Sequence, residues 1–199
     1  MKLPDAIPEA HRANWDEQLV KTLGFALDKV ENFGCAVDAG AYAGTWSAVM
    51  AEKFAVVHAF EPSGKNREYM KATLRGIDNV VVHDEAVSSH EHEIMMRVAN
   101  AGFLKIGGDV SFNAVSIDSL ELDDVGLIKL DIEGCELDGI TGAMYTIERC
   151  KPIMIVETKR EKYEIDNAMW ELGYYVIQEP YQLSTGKITP DTIYKFRRK

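Results

Sequence analysis

Short apolar segments that end in a carboxylate alternate with helical segments along most of this chain. Four of these segments end at Asp38, Glu61, Asp131 and Glu157. Strands that are apolar throughout and separated by helices are typical of a parallel sheet covered by helices on both faces. The length of 199 residues is that of a single domain. The sequence therefore predicts a doubly wound, mostly parallel α/β fold.

The N-terminal part and one internal region depart from this alternation. Residues 1–33 are predicted to form an extended arm and an amphipathic helix (residues 11–32), whereas residues 34–199 form the α/β domain. Residues 88–117 lack a helical period and contain apolar segments around a glycine-rich turn, which indicates an antiparallel excursion. The N-terminal helix and this excursion are expected to supply the walls of a substrate pocket.

The C-terminal end of the chain predicts a different kind of connection. The last two predicted strands, residues 174–177 and 192–196, are too close in sequence for a comfortable crossover helix. They are therefore expected to form an antiparallel hairpin at the edge of the sheet. Further helices are predicted at residues 46–53, with Thr45 as the N-cap, and at residues 65–75, 137–150 and 163–172.

The excess of acidic residues disfavours several classes of partner. The chain has 22 Lys and Arg against 32 Asp and Glu, a net charge of −10. Such a domain repels a nucleic-acid backbone or an anionic membrane, so a small-molecule partner is expected. No apolar run reaches the roughly 18 residues of a transmembrane helix. Because the N-terminus does not resemble a signal peptide and the three cysteines form no CxxC pair, a cytoplasmic location is expected.

The four strand-end acids point to a ligand site at one edge of the sheet. In open parallel sheets, ligands bind outside the carboxyl ends of the strands, where these acids would converge. Alternatively, each acid caps the helix that follows it. Glu61 follows Asp38 by 23 residues and could accept hydrogen bonds from ribose hydroxyls, and Asp38 could attract a ligand amino group. Since the turn after the first strand lacks GxGxxG, this arrangement favours S-adenosylmethionine (SAM) over NAD.

Several segments resemble the FkbM family of SAM-dependent methyltransferases. They are VDAGAYAG, HAFEPSG, NVVVHDEAVSS, and IKLDIEGCELDGITGA followed by KPIMIVE, and the similarity runs from about Cys35 to Glu157. The resemblance implies a seven-stranded Rossmann-like methyltransferase sheet. It also implies O-methylation of a hydroxyl on a sugar, a glycan or another small molecule.

The resemblance assigns cofactor-binding roles to particular residues. Asp38, Gly40, Ala41 and Gly44 belong to the turn around the methionine part of the cofactor, and Glu61 and Pro62 belong to the ribose site. Glu85 and Ala86 belong to the segment along the adenine, and Asp131 belongs to the loop beside the methyl group. In place of the Ala-Asn-x that is frequent in the family, the turn has Ala-Tyr-Ala, with Tyr42 at its centre.

Three acids are the candidates for catalysis. A hydroxyl nucleophile benefits from a general base or a divalent cation, and Asp131, Glu133 and Glu157 could share a proton or hold Mg²⁺. No dedicated metal-ligand set is predicted. Lys129 either balances these acids or takes part in catalysis. Two alternatives remain open, which are methyl transfer to an amine or amide nitrogen and a nucleotide-binding Rossmann-like module without catalysis.

Overall fold

A seven-stranded sheet forms the centre of the computed structural model, which describes residues 17–98 and 104–198. In chain order the strands are β1 (Cys35–Ala39), β2 (Val56–Phe60), β3 (Val80–His83), β4 (Ala86–Val87), β5 (His92–Val98), β6 (Leu104–Ile106), β7 (Val110–Val115), β8 (Val125–Leu130), β9 (Ile153–Glu157), β10 (Tyr174–Gln178) and β11 (Asp191–Phe196). The helices are α1 (Gly24–Leu27, continuing a π-helical segment Leu19–Leu23), α2 (Thr45–Ala51), α3 (Gly64–Thr73), α4 (Glu136–Thr141), α5 (Met144–Cys150) and α6 (Lys162–Glu171).

The order of the strands confirms the predicted fold class. The sheet runs β3-β2-β1-β8-β9-β11-β10, and the pairs among the first five of these strands are parallel. Strand β11 is antiparallel to both β9 and β10, so the predicted edge hairpin is present. The direction of winding reverses between β1 and β8. A crevice is expected at such a switch point, outside the carboxyl ends of the strands.

The two faces of the sheet pack against different helices. Side chains alternate along a strand, so Ala36, Leu127 and Ile155 lie on the face that packs against Leu23 and Trp46 of the first two helical elements. The opposite face packs on α4–α6 and carries most of the larger core cluster. Asp38 and Lys129 share the face of Ala36 and Leu127 and lie at its carboxyl end. The sheet therefore has one polar corner on an otherwise apolar face.

The internal excursion forms a second sheet of its own. Strands β4–β7 are arranged in the order β4-β7-β5-β6, with antiparallel pairs except for the short parallel pair β4·β7. Ala86, Ile94 and Met96 of this sheet pack against Cys135 and Ile132 in the connection after β8. The predicted antiparallel excursion is thus observed, and it stands beside the carboxyl ends of the central strands.

Three details of the predicted helices are wrong. The N-terminal helix ends at Leu27, where i to i−3 hydrogen bonds tighten the last turn, and its predicted start lies outside the described residues. Thr45 is the first residue of α2, whose N-cap is Gly44 at φ +75°. The helix predicted at 137–150 is divided into α4 and α5, with Gly142 and Ala143 between them. Gly142 lies close to Ser88, and a Cβ there would be 2.1 Å from the Ser88 carbonyl oxygen.

Two stacked histidines lie on the outer strands of the parallel part of the sheet. His58 Nδ1 and His83 Nε2 are 2.9 Å apart, and the His83 ring also stacks on Phe60. Burial lowers the pKa of both rings, and for His58 the neighbouring His83 contributes in the same direction. The unfolded chain therefore binds protons on these residues more readily than the folded chain does.

This difference predicts an acid-sensitive contribution to stability. It is fully present above the unfolded-state pKa of about 6.5 and is lost as the pH falls below that value. The free energy of unfolding, measured by urea denaturation from pH 7.5 to 5, should fall more steeply for the wild type than for His58→Gln. Parallel curves for the two proteins would contradict this assignment.

Candidate active site

A cleft opens at the carboxyl ends of β1, β2 and β8, at the switch point of the sheet. Most of the predicted site residues line it: Asp38, Gly40, Ala41, Glu61, Pro62, Ala86, Asp131 and Glu133. Gly44, Glu85 and Glu157 are not among the lining residues. The position of Gly44 is explained by packing, since a Cβ there would lie 2.8 Å from Met70 Cγ on α3.

The turn after β1 holds three strand ends together. The N–H groups of Gly40 and Ala41 both donate to the carbonyl of Phe60 at the end of β2, at 3.0 and 2.9 Å. On the other side, the Asp131 N–H donates to the Ala39 carbonyl at 3.2 Å. Gly40 has a φ of +77°, and a Cβ there would lie 1.8 Å from the Asp131 carbonyl oxygen. Only glycine allows this close approach of β1 to β8.

Glu61 is held in one orientation by hydrogen bonds from its surroundings. Its Oε1 accepts from the Ser63 N–H at 2.8 Å and from Asn66 Nδ2 at 3.1 Å, and its Oε2 accepts from the Tyr42 N–H at 2.9 Å. Burial raises the pKa of Glu61, while these hydrogen bonds act in the opposite direction. Since a carboxylate offers about four lone-pair sites, the described donors leave capacity for a ligand hydroxyl.

A buried ion pair links β1 to β8 at the base of the cleft. Lys129 Nζ lies 3.4 Å from Asp38 Oδ1, 3.5 Å from Asp131 Oδ2 and 5.3 Å from the centre of the Trp46 ring. Burial opposes the charged form of Lys129, but the neighbouring carboxylates outweigh it and raise the lysine's pKa. Ser47 Oγ also donates to Asp38 Oδ2 at 2.6 Å. Attraction of a ligand amino group by Asp38 therefore stays a prediction, because Lys129 already offsets its charge.

The loop after β8 is shaped by a buried glutamate. Glu136 lies at the start of α4. Its Oε1 accepts a hydrogen bond from the Ile132 N–H at 3.0 Å, and its Oε2 accepts one from the Gly134 N–H, also at 3.0 Å. Between them Glu133 adopts a φ of +58°, and Gly134 a φ of +105°. A left-handed glutamate is strained, and such strain is concentrated at functional sites. The loop consequently presents Asp131 and Glu133 to the cleft, whereas Glu136 fixes its backbone.

Asp191 is a cleft residue that the sequence analysis missed. It is the first residue of β11 and pairs in register with Glu157, the last residue of β9. Both carboxyl groups have raised pKa values, about 7 for Asp191 and about 8 for Glu157; burial is the largest cause for each, followed by the charge of Asp131. Thus Glu157 lies behind the lining, and Asp191 takes the position facing the cleft.

The expected pocket walls contribute to the lining. Gln18 comes from the N-terminal helical segment and Met96 from β5 of the excursion. Pro190, in the connection that leads into β11, also lines the cleft but was not among the expected walls. Tyr181 in the same connection lies 3.0 Å from the Thr22 hydroxyl, measured oxygen to oxygen. The N-terminal segment and this connection are therefore tied together beside the acidic end of the cleft.

The described residues give no geometric support for the Mg²⁺ alternative. Within residues 17–98 and 104–198, no group of three or more His, Cys, Asp or Glu side chains is arranged to hold a metal ion. In the same part of the chain, no helix combines the length and apolar character needed to cross a membrane.

Comparison with known proteins assigns the family. A model of the methyltransferase FkbM domain matches residues 38–176. Curated protein sequences give no match. Methyltransferase FkbM from Methylobacillus flagellatus KT has a similar solved structure, with a TM-score of 0.65 and 21% identity over 82% of this chain and 43% of that one. The chain thus spans less than half the length of this relative.

Two other solved structures share the fold over nearly their whole length. SMU.1697c from Streptococcus mutans, in complex with S-adenosylhomocysteine (SAH), has a TM-score of 0.55 and 11% identity over 87% of this chain and 94% of that one. An rRNA methylase from Streptococcus thermophilus has a TM-score of 0.54 and 12% identity over 87% and 93%. At these identities the likeness is one of fold. Because the family model matches more than half of the chain, the chain belongs to the FkbM methyltransferase family.

Proposed function

We propose that this chain is a SAM-dependent methyltransferase that methylates a hydroxyl group of a sugar, a glycan or another small molecule. The observation that carries the proposal is the arrangement of Glu61, Gly40 and Asp131 around one cleft at the switch point of a methyltransferase sheet. Membership of the FkbM family supports the reaction type. The free cysteines of the described residues agree with a reducing cytoplasm.

The residues of the cleft fit an adenosyl ligand. Glu61 is fixed by three donors and retains acceptor capacity for ribose hydroxyls. Phe60, Pro62 and Ala86 provide apolar surface for a purine ring. When bound, SAM supplies an activated methyl group. The contribution of the protein is to align the acceptor with that group, to exclude water, and to offer carboxylates for the acceptor's proton.

The acidic end of the cleft favours an acceptor that is neutral or positively charged. Asp131, Glu133 and Asp191 line this end, and Lys129 is the cation among the described lining residues. A polyphosphate or a nucleic-acid backbone would be repelled there. A hydroxyl acceptor needs a base, which these carboxylates provide; an amine acceptor, the alternative, would be attracted by the same charges.

Calorimetry with SAH tests the proposal most directly. We expect SAH to bind the wild-type protein and NADH not to bind. Incubation of the protein with SAM and panels of hydroxyl, amine and RNA acceptors, followed by mass spectrometry, should identify a product heavier by one CH₂ unit among the hydroxyl compounds. No SAH binding at high micromolar concentration would favour a non-catalytic module, and a methylated RNA would overturn the small-molecule assignment.

Glu61→Gln is expected to weaken SAH binding about tenfold or more, because a charged acceptor is lost and an amide donor meets N–H groups. Calorimetry well below the unfolding temperature would measure the change. Glu68→Gln is the matched control, since Glu68 is an exposed acid on α3 that pairs with Lys71 and does not line the cleft. Equal losses in both variants would contradict the assignment of Glu61 to the ribose.

A further inference from the structure

Asp191 and Glu157 form a carboxyl pair at the acidic end of the cleft. They are directly opposed in the antiparallel ladder between β11 and β9. Opposed residues point to the same side of a sheet, with Cβ atoms about 5 Å apart. Leu130 of β8 pairs with Val156 of β9. The next residue on each strand is an acid, Asp131 and Glu157 respectively, so these two acids are also neighbours. One row across β8, β9 and β11 therefore carries three neighbouring carboxyl groups.

The side chain of Asp191 is buried without a hydrogen-bond donor. It is 3% exposed and lines the cleft. Within the described part of the chain, no backbone or side-chain group donates a hydrogen bond to the carboxyl of Asp191 or to that of Glu157. A buried carboxylate that lacks donors is costly unless it binds a proton or a cation.

The charges around the pair favour a proton. Glu157 faces Asp131, Glu133, Glu136 and Asp191, all of which raise its pKa in addition to the effect of burial. Lys129 acts on Asp191, but its ammonium group lies within 3.5 Å of both Asp38 and Asp131. Two adjacent carboxyl groups in a site of low dielectric constant do not both ionise, so one retains a proton.

We infer that Asp191 and Glu157 share one proton at neutral pH, and that Asp191 takes up the proton that the methyl acceptor loses. This inference rests on the proposed function and names its proton acceptor. The acceptor O–H bond breaks with its electron pair left on oxygen, and the proton bonds to a lone pair of Asp191. The oxygen bonds to the methyl carbon of SAM as the methyl–sulfur bond breaks, its electron pair remaining on sulfur so that SAH leaves. The pair then carries two protons and returns one to water.

A carboxyl titration of the ligand-free protein tests the shared proton. In protein labelled with ¹³C at the Asp and Glu carboxyl carbons, NMR should show one Asp and one Glu with midpoints near pH 7 and 8. In Asp191→Asn the Asp signal should be absent and the Glu midpoint lower, since Asp191 is one of the charges that raise the pKa of Glu157. Glu157→Gln tests the same pair from the other side and should lower the Asp midpoint.

Glu179→Gln provides the matched control, since Glu179 is an exposed acid paired with Lys162 and lies outside the cleft. It should leave both midpoints unchanged. Wild-type protein that binds SAH while all its carboxyl groups titrate below about pH 5.5 would overturn the inference and leave the proposed function standing. Failure to bind SAH would overturn the proposed function, whatever the titration shows.

Discussion

Gly40→Ala is expected to destroy the cleft and to destabilise the fold by about 3 kcal/mol or more. The new Cβ would lie 1.8 Å from the Asp131 carbonyl oxygen, so β1 and β8 would have to separate where their ends meet. The left-handed backbone at Gly40 adds roughly 1–2 kcal/mol of strain for any residue with a Cβ. Urea denaturation measures the stability loss, and calorimetry should show SAH binding weakened about 100-fold or more.

Gly76→Ala separates the two causes. Gly76 has a φ of +78°, nearly that of Gly40, but a Cβ there would meet no atom within 4 Å. We expect this variant to lose only the roughly 1–2 kcal/mol of backbone strain and to keep its SAH affinity. If both variants lost the same stability and both bound SAH normally, the close approach of Gly40 to Asp131 would have no importance for the site.

Most of the sheet was predictable because its strands are apolar on both sides. The continuous apolar segments at β1, β8 and β9 follow from burial between two layers of helices. Their terminal acids were predictable for the same reason, since a parallel strand that leaves the core at its carboxyl end can become polar there. The same reasoning predicts from the sequence alone that Asp38, Glu61 and Asp131 lie at one edge of the sheet.

The position of Asp191 in the cleft was not predicted, because β11 runs antiparallel to its neighbour β9. In an antiparallel strand the first residue, and not the last, lies at the carboxyl edge of its parallel neighbours. The rule that acids at strand ends lie at the site therefore identifies Glu157 but not Asp191, which is opposite it. The predicted C-terminal hairpin could have indicated Asp191, because the first residue of its second strand lies at the carboxyl edge of the sheet.

The partners of the predicted acids depend on contacts between distant parts of the chain. Asp38 and Lys129 are neighbours because β8 lies next to β1, and that adjacency results from the order of the strands. Likewise, Gly142 between α4 and α5 lies against the Ser88 carbonyl, which is 54 residues away in the sequence. Local periodicity contains no information on either contact. The sequence therefore indicated Lys129 as a balance for the acids after β8, but not its ion pair with Asp38.

Lys129→Met is expected to destabilise the protein by about 3–5 kcal/mol, since removing one partner of a buried ion pair leaves the other charge uncompensated. Lys129 is 3% exposed, and Asp38, its partner on β1, is fully buried. The methionine side chain is long enough to occupy much of the same space beside Trp46, so the loss reports the charge more than a cavity. Urea denaturation at pH 7.5 measures it.

The double variant Asp38→Asn/Lys129→Met should recover part of this loss, because neither charge then remains buried alone on β1 or β8. Lys195→Met is the matched control at the surface. Lys195 Nζ lies 3.5 Å from Glu31 Oε1, with both side chains partly exposed, and its loss should cost less than about 1 kcal/mol. If Lys129→Met cost no more than Lys195→Met, the ion pair would not be what fixes β1 against β8 at the cleft.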